Sequence, residues 1–140
     1  SSAAAIAALR RNLDLLGARD VTAVQADATA WVAKPGPDRF DLVFLDPPAW
    51  AKGPFGAVDL ERDYPALFKP ALIATAPGGV VIATNHVASV DLEAWTAILR
   101  RSAEKSGRPL AGIETLAPDE DFPTRDGRPP LKIAVCRAQH

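Results

Sequence analysis

Phe40-Asp41-Leu42-Val43-Phe44-Leu45-Asp46-Pro47-Pro48-Ala49-Trp50 is the stretch on which the reading of this chain turns. Phe40 to Leu45 is a short apolar run of the kind that parallel sheets bury on both faces. It halts at Asp46-Pro47-Pro48, because proline brings no N–H to a strand ladder. A second apolar run, Val80-Val81-Ile82-Ala83-Thr84, follows the turn signal Pro77-Gly78-Gly79. Between the two runs, Ala49 to Asp63 reads as irregular, broken by Gly53, Pro54 and Gly56. Tyr64 to Ala76 reads as a helix that Pro70 should kink or divide.

On the N-terminal side, Ser1-Ser2 offers an N-cap, and Ala3 to Leu16 places Ile6, Leu9, Leu13 and Leu16 on one helical stripe that Gly17 stops. Val21 to Gln25 reads as a short strand leading into Asp27, and Ala28 to Ala33 as a short helix ended before Pro35-Gly36-Pro37. On the other side, Leu92 to Lys105 has helical spacing, with Ser89 or Asp91 as its cap. The last strands are Gly112–Leu116 and Leu131–Cys136, separated by the proline- and charge-rich loop Pro118–Pro130. Strands alternating with helices predict an α/β layer with a mostly parallel sheet. No helix separates the last two strands, so they should form an antiparallel hairpin at one edge.

At 140 residues the chain is one domain at most, and 48% hydrophobic with 24% charged residues is ordinary globular usage. A net charge of −1 excludes holding a phosphate backbone by bulk charge, so any nucleic-acid contact must be local or supplied by another domain. One cysteine excludes an internal disulfide framework and a cysteine zinc site. No apolar run approaches the roughly 20 residues of a membrane span and no signal peptide opens the chain, making a reducing, cytoplasmic setting the default. There is no methionine, and Ser1 opens directly on a helical pattern, so the chain reads as a piece of a longer protein.

Ligands of open α/β sheets bind beyond the carboxyl ends of the strands, and three such ends carry polar residues. Asp27 could accept hydrogen bonds from an amino group or a ribose hydroxyl, or could simply cap the helix that begins at Ala28. Asp46 closes an apolar strand, a costly place for a carboxylate without partners. The two prolines after it fix an extended turn with unpaired carbonyls, and Trp50 could stack on a planar group or pack in a core. Thr84-Asn85-His86 ends the third. His86 is more often a hydrogen-bonded residue than a base, and no second ligand at metal spacing stands beside it. Lys52, Arg62 and Lys69 could contact phosphates or be a solvated loop.

Asp46-Pro47-Pro48 with Trp50 resembles the Asp/Asn-Pro-Pro-aromatic motif of amino-methyltransferases, in which carbonyls and the acidic or amide side chain hold the target nitrogen beside the methyl donor. In that motif the aromatic follows the second proline directly, whereas here Ala49 intervenes. More broadly, Ser1 to Gly17 resembles the helix after the second strand of class I S-adenosylmethionine-dependent methyltransferases. Asp27 falls at the adenine-side acidic position, Phe40 to Trp50 resembles the fourth motif, and Pro77-Gly78-Gly79 the turn before the fifth strand. Arg62-Asp63-Tyr64 and Pro129-Pro130-Leu131-Lys132 are similar to large-subunit ribosomal RNA methyltransferases of the 5-methylcytosine and 7-methylguanine groups.

The resemblance implies a Rossmann-like sheet, with the chain as the C-terminal portion of a single catalytic domain, lacking the first two strands and the glycine-rich cofactor turn. It implies S-adenosylmethionine as cofactor, contacted by Asp27, Ala28 and Asp46. RNA, most of all ribosomal RNA, is the implied partner, reached through Trp50, Lys52 and Arg62 and methylated at a base nitrogen. Asp46, Pro47, Pro48 and Asn85 would form the acceptor site, with no metal. The 5-methylcytosine enzymes carry a nucleophilic cysteine after the fifth strand, where this chain has Thr84-Asn85-His86, so covalent carbon methylation is disfavoured. Cys136 reads as a buried small hydrophobe. Two other readings stay open: methylation of a small molecule or protein side chain, which a near-neutral charge fits, and a non-catalytic binding module.

Overall fold

The computed structural model describes residues 3–34, 40–48, 50–53, 56–119, 122 and 130–139. They fall into two compact units, 1–34 and 35–140. The first holds two helices, α1 (Ala3–Leu15) and α2 (Ala28–Val32). α1 buries Ile6 and ends as expected at Gly17, whose φ of 65° is the left-handed conformation that glycine adopts without steric cost. The proposed cap at Ser1-Ser2 and the break at 35–37 lie outside the described residues. Val21–Gln25 enters neither sheet, which corrects the expected strand. Its apolar residues satisfy a strand pattern, but a strand also needs a hydrogen-bonding neighbour, and none pairs with it among the described residues.

The second unit is built on a four-stranded sheet in the order β1-β4-β6-β5. Its strands are β1 (Phe40–Leu45), β4 (Thr75–Asn85), β5 (Leu110–Leu116) and β6 (Lys132–Ala138). β1 pairs parallel with β4, and β6 pairs antiparallel with both β4 and β5. Three strands therefore run one way and β6 alone runs against them, the mostly parallel sheet with an antiparallel C-terminal hairpin that the pattern predicts. β5 takes one edge and β1 the other.

Two helices cover one face: α3 (Tyr64–Ala74) and α4 (Leu92–Lys105). α4 keeps its expected bounds because Asp91 caps it, its carboxylate accepting from the Ala94 N–H at 2.9 Å. Tyr64, Phe68 and Leu72 of α3 meet Trp95, Leu99 and Ala103 of α4 over Val81 and Ala83 of β4 and Ala134, Cys136 and Ala138 of β6 in one buried cluster. Pro70 does not divide α3: with Phe68, Ala71 and Leu72 all buried, packing offsets the roughly 3 kcal/mol that an internal proline costs.

The turn expected at Pro77-Gly78-Gly79 is a bulge inside β4. Phe40 pairs with Thr75 and Leu42 with Val80, so five residues of β4 are crossed while β1 advances two. Gly78 takes a φ of 75°. A side chain at Gly79 would stand 2.9 Å from the Asp41 carbonyl and 3.0 Å from that of Ala76. Two further expectations are corrected. The irregular stretch after Ala49 contains an antiparallel pair, β2 (Trp50–Gly53) with β3 (Gly56–Asp59). β1 is not buried on both faces: Val43 and Leu45 pack against the core, while Leu42 and Phe44 are 56% and 63% exposed, because successive strand residues point to opposite faces and α3 and α4 cover only the one that carries Val43 and Leu45.

Candidate active site

The register of β1 on β4 creates the site. Leu45 pairs with Ala83, which sets the next residues, Asp46 and Thr84, level with one another at the carboxyl ends of adjacent parallel strands. The Thr84 hydroxyl donates to Asp46 Oδ1, and His86 Nε2 lies 2.9 Å from the same oxygen. Both bonds favour the ionised form, so the Thr84 and then the His86 hydrogen bond hold the Asp46 carboxyl below its usual range, against a smaller opposing effect of burial. Its side chain is 52% exposed. Oδ2 accepts from no described group and remains available to a ligand.

Thr84 is fixed from behind. Tyr64 at the start of α3 donates its hydroxyl to the Thr84 carbonyl at 2.8 Å, and its ring stands edge-on to Trp95 with centroids 5.3 Å apart. Burial drives the Tyr64 phenol far above its ordinary titration, so it serves as a fixed neutral donor. Thr84 and Tyr64 were not among the expected site residues. The legible signal was that Asp46 and Thr84 each close an apolar run, and parallel neighbours bring such ends together.

Pro47 is half-buried and Pro48 exposed, and neither carbonyl is engaged by a described donor, as the double proline predicts. Asn85 lies elsewhere than expected. It has no exposed surface, and its Oδ1 accepts from the Val87 N–H at 2.9 Å, closing the turn after β4 instead of lining an open acceptor surface. Its buried Nδ2 has no partner among the described residues. Trp50 and Lys52 sit on β2, with side chains outside the described residues, and Arg62 is exposed in the turn after β3. Asp27, in the first unit, caps α2: its Oδ1 accepts from the Ala30 N–H at 2.8 Å. Its side chain and Ala28 are exposed.

Chemically, the arrangement presents an ionised carboxylate with one open oxygen beside two free carbonyls. That is an acceptor set for an amino group, with no nucleophile in it. Cys136 is fully buried in β6 and burial pushes its thiol up to about 12, so it carries no thiolate at neutral pH. Among the described residues no group of three or more His, Cys, Asp or Glu could hold a metal ion, and no helix is long and apolar enough to cross a membrane.

No family model matches the sequence. Ribosomal RNA large subunit methyltransferase K/L of Allochromatium vinosum is 37% identical over 90 residues, covering 59% of this chain and 12% of that protein. The protein of the same name from Pseudomonas entomophila is 36% identical over 87 residues, 60% of this chain and again 12% of the relative. Among solved structures, SMU.776, described as a methyltransferase and solved in complex with SAH, superposes with a TM-score of 0.71 at 18% identity, covering 93% of this chain and 36% of its own. The S-adenosylmethionine-dependent methyltransferase SibL, in its apo form, gives 0.57 at 14% identity, covering 99% of this chain and 42% of its own. The chain thus has the fold of S-adenosylmethionine-dependent methyltransferases and is similar in sequence to a segment, 12% of the length, of ribosomal RNA large subunit methyltransferases K/L.

Proposed function

We propose that the protein carrying this chain is an S-adenosylmethionine-dependent methyltransferase that acts in the cytoplasm on a base nitrogen of ribosomal RNA, and that this chain is the C-terminal portion of its catalytic domain. The observation that carries the reading is Asp46: an ionised carboxylate at the end of a parallel strand, anchored by Thr84 through one oxygen and open through the other. The relatives named for ribosomal RNA methylation support the substrate class.

The residues present fit the cofactor. Asp27 commits one oxygen to its own helix and stays exposed, so its second oxygen and the Ala28 N–H supply the acceptor and donor that an adenine edge requires. Bound S-adenosylmethionine supplies a sulfonium methyl group open to in-line attack. The chain's own residues orient the nucleophile. Asp46 Oδ2 and the Pro47 and Pro48 carbonyls accept the N–H groups on the acceptor's amino edge and so fix the direction of its attacking lone pair. Holding two reactants in line is worth up to roughly 7–11 kcal/mol of barrier, so positioning supplies most of the rate. Asn85 acts indirectly, by shaping the turn that carries His86 and Val87.

The test is transfer of an isotope-labelled methyl group from S-adenosylmethionine to ribosomal RNA by the full-length protein, with the RNA digested to nucleosides. Label on a base nitrogen is the expected result. Label on a ring carbon, or transfer only to protein or small molecules, would overturn the reading.

A further inference from the structure

The carboxyl edge of the sheet continues past the Asp46 cluster into a cavity of about 680 Å³, within the range of small-ligand sites. Val90 and Leu92 from the start of α4, Leu116 from the end of β5 and Leu131 before β6 give it apolar walls. Lys132 stands at its polar end and is only 8% exposed. Its ammonium donates to the Val87 carbonyl at 2.7 Å and the Pro130 carbonyl at 2.9 Å. A lysine has three protons to give, and the third meets no acceptor among the described residues. The ammonium therefore keeps a donor that a ligand with an acceptor atom can take up in the cavity.

Position and charge narrow the ligand. Lys132 pairs with Asn85 across β6 and β4, while Asp46 follows β1 on the other side of β4. Two strand spacings separate them, about 10 Å between backbones. One base seated at Asp46 does not reach that far, but the next nucleotide of an unstacked RNA strand does. The Asp91 carboxylate shares the cavity wall and opposes a phosphate there, whereas apolar walls suit the faces of a base.

We propose that this cavity takes the base of a nucleotide flanking the methylated one, its faces against Val90, Leu92 and Leu116 and its acceptor edge on Lys132 Nζ. The proposal rests on the RNA methyltransferase reading and adds a sequence-reading subsite to it. Lys132 then selects a flanking base bearing a carbonyl oxygen or ring nitrogen on that edge.

The experiment uses the full-length protein and short RNAs that carry the methylated site and differ only at the nucleotides beside it. The wild type should discriminate among flanking bases by roughly tenfold, the scale of one hydrogen bond to a charged group. Lys132→Met should flatten that preference, with the loss falling on KM more than on kcat. Leu116 is 45% exposed, so Leu116→Trp fills the cavity from its lip without disturbing the core, and should raise KM about tenfold at unchanged Tm. This second variant keeps the test decisive if Lys132→Met fails to fold. Active enzyme whose KM and flanking preference ignore Leu116→Trp would overturn the subsite and leave the methyltransferase reading standing. A wild type that transfers no methyl group to RNA would overturn both.

Discussion

Asp27 and Asp46 each follow a run of β-forming residues, and the chain holds them in opposite ways. Asp27 spends an oxygen on the Ala30 N–H three residues further on, so its geometry needs nothing beyond its own short helix. Asp46 is held by Thr84 and His86, 38 and 40 residues away, and exists as a site only because β1 and β4 pair in register. A carboxylate satisfied locally stabilises a turn of structure. One satisfied across two strands, with an oxygen left over, is a product of the fold and is open for use.

Substitution can break this contrast. Asp46→Ala should have the largest effect on turnover: methyl transfer falls about a hundredfold or more, the scale of a misplaced reactant, with little change in Tm. Steady-state rates and a thermal melt on the same protein check it, and retained turnover would remove Asp46 from the acceptor site. Gly79→Ala attacks the register instead. Its methyl group meets the Asp41 and Ala76 carbonyls, costing about 1–3 kcal/mol in a denaturant melt and lowering activity together with stability, unlike Asp46→Ala.

Asp27→Ala should lose about 1 kcal/mol, confined to α2 and visible as faster amide exchange there. If Asp27 also holds adenine, the KM for S-adenosylmethionine rises in the same variant. The smallest expected effect on chemistry belongs to Cys136→Ser, which should keep methyl transfer while losing about 1–2 kcal/mol for burying a hydroxyl. A folded but inactive Cys136→Ser protein would restore covalent catalysis as a candidate.

Much of the fold was legible because its signals are local. The apolar runs 40–45 and 80–84 and the Asp91 cap each announce themselves within a few residues. What escaped depends on partners distant in sequence. Val21–Gln25 looks like a strand but finds no neighbour in either sheet, and the β2–β3 pair hides behind glycines and a proline that usually mark loops. Pro70 stays inside α3 because tertiary packing outweighs a local rule. At the site, Asp46 was visible from its placement, while Thr84 as its anchor and Tyr64 as the anchor's support emerge only from the β1–β4 register. Asn85 was expected at the acceptor site from the family resemblance, whereas its side chain is buried and accepts from the Val87 N–H to close the loop.

Thr84 and His86 hold the Asp46 carboxyl below its usual range. A group whose pKa is depressed on folding adds stability above its unfolded value near about 3.9, and that stability is lost as pH falls through the lower folded value. The most direct measurement is the carbon-13 titration of the Asp46 carboxyl in the wild type and in Thr84→Val, read beside methyl transfer by both. The expected results are a midpoint below the ordinary aspartate value, an upward move in Thr84→Val, and a loss of transfer of roughly tenfold or more. A midpoint at or above the ordinary value, unmoved by Thr84→Val, would contradict that anchoring.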